Sequence, residues 1–142
     1  MCMFACSGMG KAKNEFNPEP KRPSNNFALL GEDVPVYSHI KDKTKSGTSY
    51  ATFVGAAVAA LLIDFARQSD VEAEPEDVRT LKTVNGMTAV FEIMSKGGRD
   101  DNYDCVVPSK LLGNSDIKAR ARSRKKIWGR ISVALESVDR AW

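Results

Sequence analysis

The sequence predicts an α/β fold with a few short strands, one long alanine-rich helix and a mostly helical tail. Three observations point to it. Short apolar runs at residues 1–6 and 27–30 each end at a glycine-containing turn. Val54, Val58, Leu61, Leu62 and Phe65 recur at the i, i+4, i+7, i+8, i+11 spacing of one helix face. Near the carboxyl end, Trp128, Ile131, Leu135, Val138 and Trp142 repeat at steps of 3, 4, 3 and 4, a second helical stripe.

Taken in order, residues 1–6 form an apolar run closed by SGMG, the pattern of a core strand and turn. Residues 11–26 hold three of the six prolines among asparagine and lysine, which predicts an exposed loop. A second strand is expected at 27–30, ended by Gly31, and a third extended piece at 34–39 around Pro35. KDKTK at 41–45 reads as a charged turn.

From Ser49 to Arg67 the helical period takes over, with alanines at 51, 56, 57, 59 and 60 covering much of the rest of the surface. A helix that is small or apolar nearly all round needs neighbours on several sides. Acidic residues and Pro75 at 69–76 break it. Helical spacing resumes through Val78, Leu81 and Val84, then Met87, Val90, Phe91 and Met94, core positions with Gly86 as the expected joint. GGRDDNYD at 97–104 reads as a turn-rich loop. It lacks the alternating carboxylates and terminal glutamate of an EF-hand calcium loop. A short helix started by Pro108 and Ser109 follows, then a long one over 116–142 whose stripe requires an apolar partner.

Composition sets the class. A chain of 142 residues with 42% hydrophobic and 27% charged residues matches one soluble globular domain. The net charge of +3 is concentrated, because Lys118, Arg120, Arg122, Arg124, Lys125 and Lys126 fall within nine residues. Such a run is ordinarily a solvated helix face. The sharper alternative is contact with phosphates of a nucleic acid or an anionic lipid surface. No aromatic residue interleaves these charges, and no helix-turn-helix pattern accompanies them.

Cys2, Cys6 and Cys105 are odd in number and without recurring spacing, which argues against a disulfide framework and for a reducing compartment. Two cysteines without two further ligands do not make a zinc site, and no metal or cofactor is expected. The start lacks the positive segment and long apolar run of a secretory signal, so an intracellular, cytoplasmic location is expected. The apolar stretch at 50–66 is close to the lower length limit of a membrane span, and Asp64 charges its far end.

One segment carries more than class. Gly47-Thr48-Ser49, then Ala51-Thr52, then the alanine-rich helix, resembles the nucleophile segment of subtilisin-like serine peptidases, the subtilase family. There the pattern is G-T-S-x-A-T-P before a buried helix. Upstream, Phe27 through Val34 looks like the strand and glycine turn preceding that serine, and the first ten residues resemble the strand before it. Downstream, Gly86, Met87, Phe91, Met94, Ser95, Tyr103, Val107, Pro108 and the Ile131 to Glu136 segment are similar, more loosely, to the tail of intracellular multidomain subtilases.

The resemblance implies residues 1–68 as the carboxyl-terminal part of a peptidase core and 69–142 as a helical extension. It implies Ser49 as the attacking oxygen, Gly47 and Thr48 as the turn that supports it, a polypeptide substrate and hydrolysis through an acyl-enzyme. A serine on the first turn of a helix lies among unpaired N–H groups at the positive end of the dipole, where a forming oxyanion is stabilised.

Departures accompany the likeness. The family's aspartate, histidine and asparagine motifs precede the serine, and none is found in these 142 residues. Asp33, His39 and Ser49 stand in triad order, but neither Asp33 nor His39 has the family's flanking motif. Phe53 stands at the family's proline and Ala57 at its packing glycine, and Gly55 is expected to point elsewhere. The isolated chain is therefore expected to be nearly inactive, with a separate amino-terminal peptidase segment or another protein as partner. The helix over 49–67 would then lack cover on one side. The rival reading is a non-catalytic, protease-like interaction module. For Ser46, Thr48 and Ser49 the plainer role is helix capping.

Overall fold

The structure, a computed structural model, describes residues 2–8, 17–20, 25–36, 43–96, 99–100, 102–112 and 120–139. Among the described residues it is a mixed α/β structure of five helices, a four-stranded sheet and a two-stranded sheet. The chain divides into two compact units, Met1–Ala57 with Ser95–Val107 and Val58–Met94 with Pro108–Trp142.

The first unit is built on a sheet of β1 (Cys2–Cys6), β2 (Asn26–Leu30), β6 (Tyr103–Cys105) and β5 (Arg99–Asp100), in that order. β1, β2 and β6 run parallel, and β5 pairs antiparallel with β6. β2 is buried from Asn26 to Leu29, as a strand with a neighbour on each edge must be. Phe4, Cys6, Ala28, Tyr103 and Cys105 form its core cluster, in which the Phe4 and Tyr103 rings meet edge to face at 5.0 Å.

β1 lies at the sheet edge, where unpaired backbone groups need another partner. Asn17 supplies it. Its Oδ1 accepts from the Ala5 N–H at 2.8 Å, and its Nδ2 donates to the Ala5 carbonyl at 2.6 Å. Next to it, the Tyr103 hydroxyl donates to the Pro18 carbonyl at 2.6 Å, so the 17–20 segment is held at two points.

β3 (Val34–Pro35) and β4 (Thr44–Lys45) pair antiparallel into a small second sheet. The expected charged turn at 41–45 is therefore strand at its last two positions, while residues 37–42, including His39, lie outside the described set. The expected loop at 97–104 is corrected in the same way. Residues 99–100 form β5, and Tyr103 opens β6, in which Tyr103 and Cys105 are buried against β2.

The long helix, α1 (Thr48–Ala66), starts in the first unit and ends in the second. Its buried line is Ala51, Gly55, Leu62 and Ala66, not the Val54, Val58, Leu61 stripe. For Ala51 and Gly55 the reason is close approach. A β-carbon on Gly31 would stand 3.0 Å from that of Ala51, and one on Gly55 would stand 3.3 Å from the Met3 thioether. Thr52, Phe53, Ala56, Ala57, Ala60 and Leu61 are exposed, so the helix is not covered on several sides and lacks cover along one, the second of the two expectations for it. By length and composition α1 could cross a membrane, and 22% of its apolar window is buried.

The second unit contains the carboxyl half of α1, α2 (Pro75–Leu81), α3 (Val84–Ser95, whose last residue belongs to the first unit), α4 (Ser109–Leu112) and α5 (Arg120–Asp139). The joint between α2 and α3 is Lys82-Thr83 rather than Gly86. Thr83 caps α3, its hydroxyl accepting from Gly86 N–H at 3.0 Å and donating to the Thr80 carbonyl at 2.7 Å. Gly86 is required for another reason: a β-carbon there would overlap the Thr80 carbonyl oxygen at 2.0 Å.

On α5, Trp128, Ile131 and Leu135 are buried as the stripe predicts, Val138 is half-buried, and Trp142 lies outside the described residues. α5 packs on α2 and α4. The Ser132 hydroxyl donates to Asp77 at 2.7 Å, and Arg130 donates to the Lys110 and Leu111 carbonyls at 3.3 and 3.2 Å.

Candidate functional site

The turn before α1 is placed by backbone bonds at the carboxyl end of β2. Gly31, just past that strand, donates its N–H to the Cys6 carbonyl at 3.0 Å and accepts from Gly47 N–H at 2.7 Å. Gly47 has φ of +144°, a conformation that L residues rarely adopt, and there the chain swings from β4 into the helix. The Gly47 carbonyl then takes Tyr50 N–H at 3.1 Å and Ala51 N–H at 3.4 Å, closing the first turn.

Thr48 and Ser49 occupy that first turn. Ser49 is exposed and Thr48 partly so, and among the described residues neither N–H has a backbone acceptor. The plainer alternative, helix capping, is accordingly not what these hydroxyls do. Ser46 Oγ accepts from Asp33 N–H at 3.0 Å, across to the turn after β2, and Thr52 Oγ1 donates to the Thr48 carbonyl at 3.0 Å. The Ser49 hydroxyl is left open to solvent at the positive end of a helix dipole, so the position offers an accessible oxygen beside free backbone donors.

Asp33, with φ of +51°, is exposed on the turn that Ser46 holds. His39 lies outside the described residues, so the Asp33, His39, Ser49 order acquires no geometry. Phe53 is 71% exposed and one turn along the helix from Ser49. Ala57 is also exposed, and the close contact with the sheet is made by Gly55 instead.

The basic run divides. Arg124 donates to Gln68 and Asp70, each at 2.8 Å, and Lys125 to Glu72 at 2.8 Å. These bonds join α5 to the acidic 69–76 break within the second unit. Lys126 is exposed, Lys118 lies outside the described residues, and the side chains of Arg120 and Arg122 do as well.

Cys2 is exposed and Cys6 and Cys105 are buried, all three as free thiols. Among the described residues no three His, Cys, Asp or Glu side chains cluster as a metal site would require. Asn17 is a residue that sequence reasoning passed over, since an asparagine in a proline-rich loop gives no sign of bonding a strand edge. Comparison with protein-family models, with curated proteins and with solved structures finds no match to this chain.

Proposed function

We propose that the chain carries the nucleophile portion of a subtilisin-like serine endopeptidase, with Ser49 as the oxygen that attacks a peptide carbonyl. The observation that carries this reading is the position of Ser49. Its exposed hydroxyl stands on the first turn of α1, directly behind Gly47 at φ of +144° and a 2.7 Å bond to the end of a parallel strand. The serine's own N–H would be one donor to the oxyanion, and Thr48 and Gly47 would hold the turn.

Within that reading the reaction is acyl transfer. Ser49 Oγ bonds to the carbonyl carbon while its proton passes to a base. The amine leaves with a proton, and water then releases the acyl group. No histidine with the family's motif is present to act as the base, and a serine hydroxyl without one is a weak nucleophile. In subtilisin, loss of the triad serine or histidine costs on the order of a millionfold in turnover. The chain alone is therefore nearly inert, and activity requires a polypeptide that brings aspartate, histidine and the asparagine donor.

The test is fluorophosphonate labelling, which reports an activated serine. The purified chain should resist the probe. Co-expressed with any in-frame upstream coding region, it should become labelled, and Ser49→Ala should remove the label. Labelling at a residue other than Ser49 would defeat the assignment.

A second reading, a non-catalytic interaction module, is favoured by the 71% exposure of Phe53 beside the serine. It predicts that no partner ever activates Ser49, and that Phe53→Ser weakens capture of the partner while Ser49→Ala does not.

A further inference from the structure

The second unit contains a cavity of about 330 Å³, and nothing in the proposed peptidase reading uses it. Val58, Leu62 and Phe65 of α1 form one wall, and Leu111 of α4 and Ile127 of α5 form another. Its volume falls within the roughly 300–1,000 Å³ range of small-molecule sites. It also has about twice the room of an engineered apolar cavity of about 150 Å³ that stays dry and takes up benzene. Apolar walls of this extent are unfavourable to leave against water, and an apolar guest removes that penalty.

Only two lining side chains are polar, Asp64 and Gln68. Asp64 is the sole charged residue in the nineteen of α1, and it is exposed with no ion pair among the described residues. Gln68 and the acidic residues Asp70 and Glu72 beyond it are already held by α5. Gln68 Oε1 and Asp70 Oδ2 both accept from Arg124 at 2.8 Å, and Glu72 accepts from Lys125 at 2.8 Å. The one charged side chain among the residues lining the apolar space is therefore negative.

We propose that this cavity binds an amphipathic cation, an ammonium group on an apolar chain, with the chain in the cavity and the charge against Asp64. Charge complementarity selects the cation over a carboxylate of the same chain length. Because Asp64 is exposed, the preference is modest, on the order of two- to fivefold in affinity over the neutral alcohol.

The experiment compares octylammonium, octan-1-ol and octanoate, all below their aggregation limits, titrated calorimetrically into the full chain. Expected is octylammonium tighter than octanol by about threefold, and octanoate weakest. Asp64→Asn, a surface change that leaves no partner unpaired, should abolish the gap between ammonium and alcohol and leave the alcohol unchanged. Val58→Trp, checked for native circular dichroism, should remove binding of all three by filling the space. The proposal is overturned if octanoate binds as tightly as octylammonium, if Asp64→Asn preserves the gap, if folded Val58→Trp still binds, or if the native chain binds none of them. Ser49→Ala should bind as the native chain does, so failure here leaves the peptidase reading standing and failure of that reading leaves this one.

Discussion

Gly47 donates its backbone N–H to the Gly31 carbonyl over 2.7 Å, and this bond ties the turn that presents Ser49 to the end of β2. The two glycines are needed for different reasons. At Gly31 the constraint is space, because an added β-carbon would lie 2.7 Å from Ala5 Cβ and 3.0 Å from Ala5 Cα. At Gly47 the nearest atom is 4.0 Å away, in the Tyr50 ring, and the constraint is the positive φ.

Alanine at either position should therefore destabilise the first unit by separate routes. Gly31→Ala forces β1 to move and should cost about 1–3 kcal/mol as overpacking. Gly47→Ala should cost a similar amount, about 1–3 kcal/mol, as backbone strain. Urea unfolding measures both. A loss below about 0.5 kcal/mol for either, the scatter of ordinary surface changes, would contradict the stated cause.

Gly55→Ala should behave differently. The atoms that its β-carbon would meet at 3.3 Å are the Met3 Cε and Sδ, the far end of a flexible side chain. A helix interior gains about 0.5–1 kcal/mol from glycine to alanine. The variant should unfold at the same urea concentration as the native chain or slightly higher. A clear loss would mean that Met3 cannot yield.

In the second unit the contrast is between Gly86 and Gly129. A β-carbon on Gly86 would overlap the Thr80 carbonyl oxygen at 2.0 Å, a backbone atom held by Thr83. Gly86→Ala should cost about 3 kcal/mol, the upper part of the overpacking range. Nothing lies within 4 Å of the equivalent position at Gly129, an exposed residue of α5. Gly129→Ala should therefore stabilise by about 0.5–1 kcal/mol. Thermal unfolding of the pair tests the sign of each.

These glycines also mark where sequence reasoning stops. Period and punctuation place β1, β2, α1, α4 and α5, since each depends on residues close in the chain. The buried side of the first half of α1 was not legible from hydropathy, because the sheet comes so close that Ala51 and Gly55 are buried while Phe53 faces out. Gly86 looks like a hinge in sequence, yet Thr83 makes the joint and Gly86 makes room for a carbonyl some six residues back. β6 was hidden because its three residues follow a turn and owe their strand form to β2, about seventy-five positions earlier. Gly47 was legible as a turn glycine, and its tie to Gly31 was not.

Asn17 gives the last prediction. Both polar atoms of its amide are used on Ala5, accepting from the N–H at 2.8 Å and donating to the carbonyl at 2.6 Å, in place of a strand beyond the edge of β1. Asn17→Ala leaves that peptide group without its partner and should cost about 1–3 kcal/mol. Asn17→Asp keeps the acceptor but sets a second oxygen against the Ala5 carbonyl. It should recover less than the full loss despite its near-identical shape. Hydrogen exchange at Ala5 distinguishes the cause. If Asn17 supports the edge, Ala5 N–H loses protection in both variants while amides of β2, paired on both sides, stay slow. Uniform acceleration across the sheet would instead mean global destabilisation, and the edge role would fail.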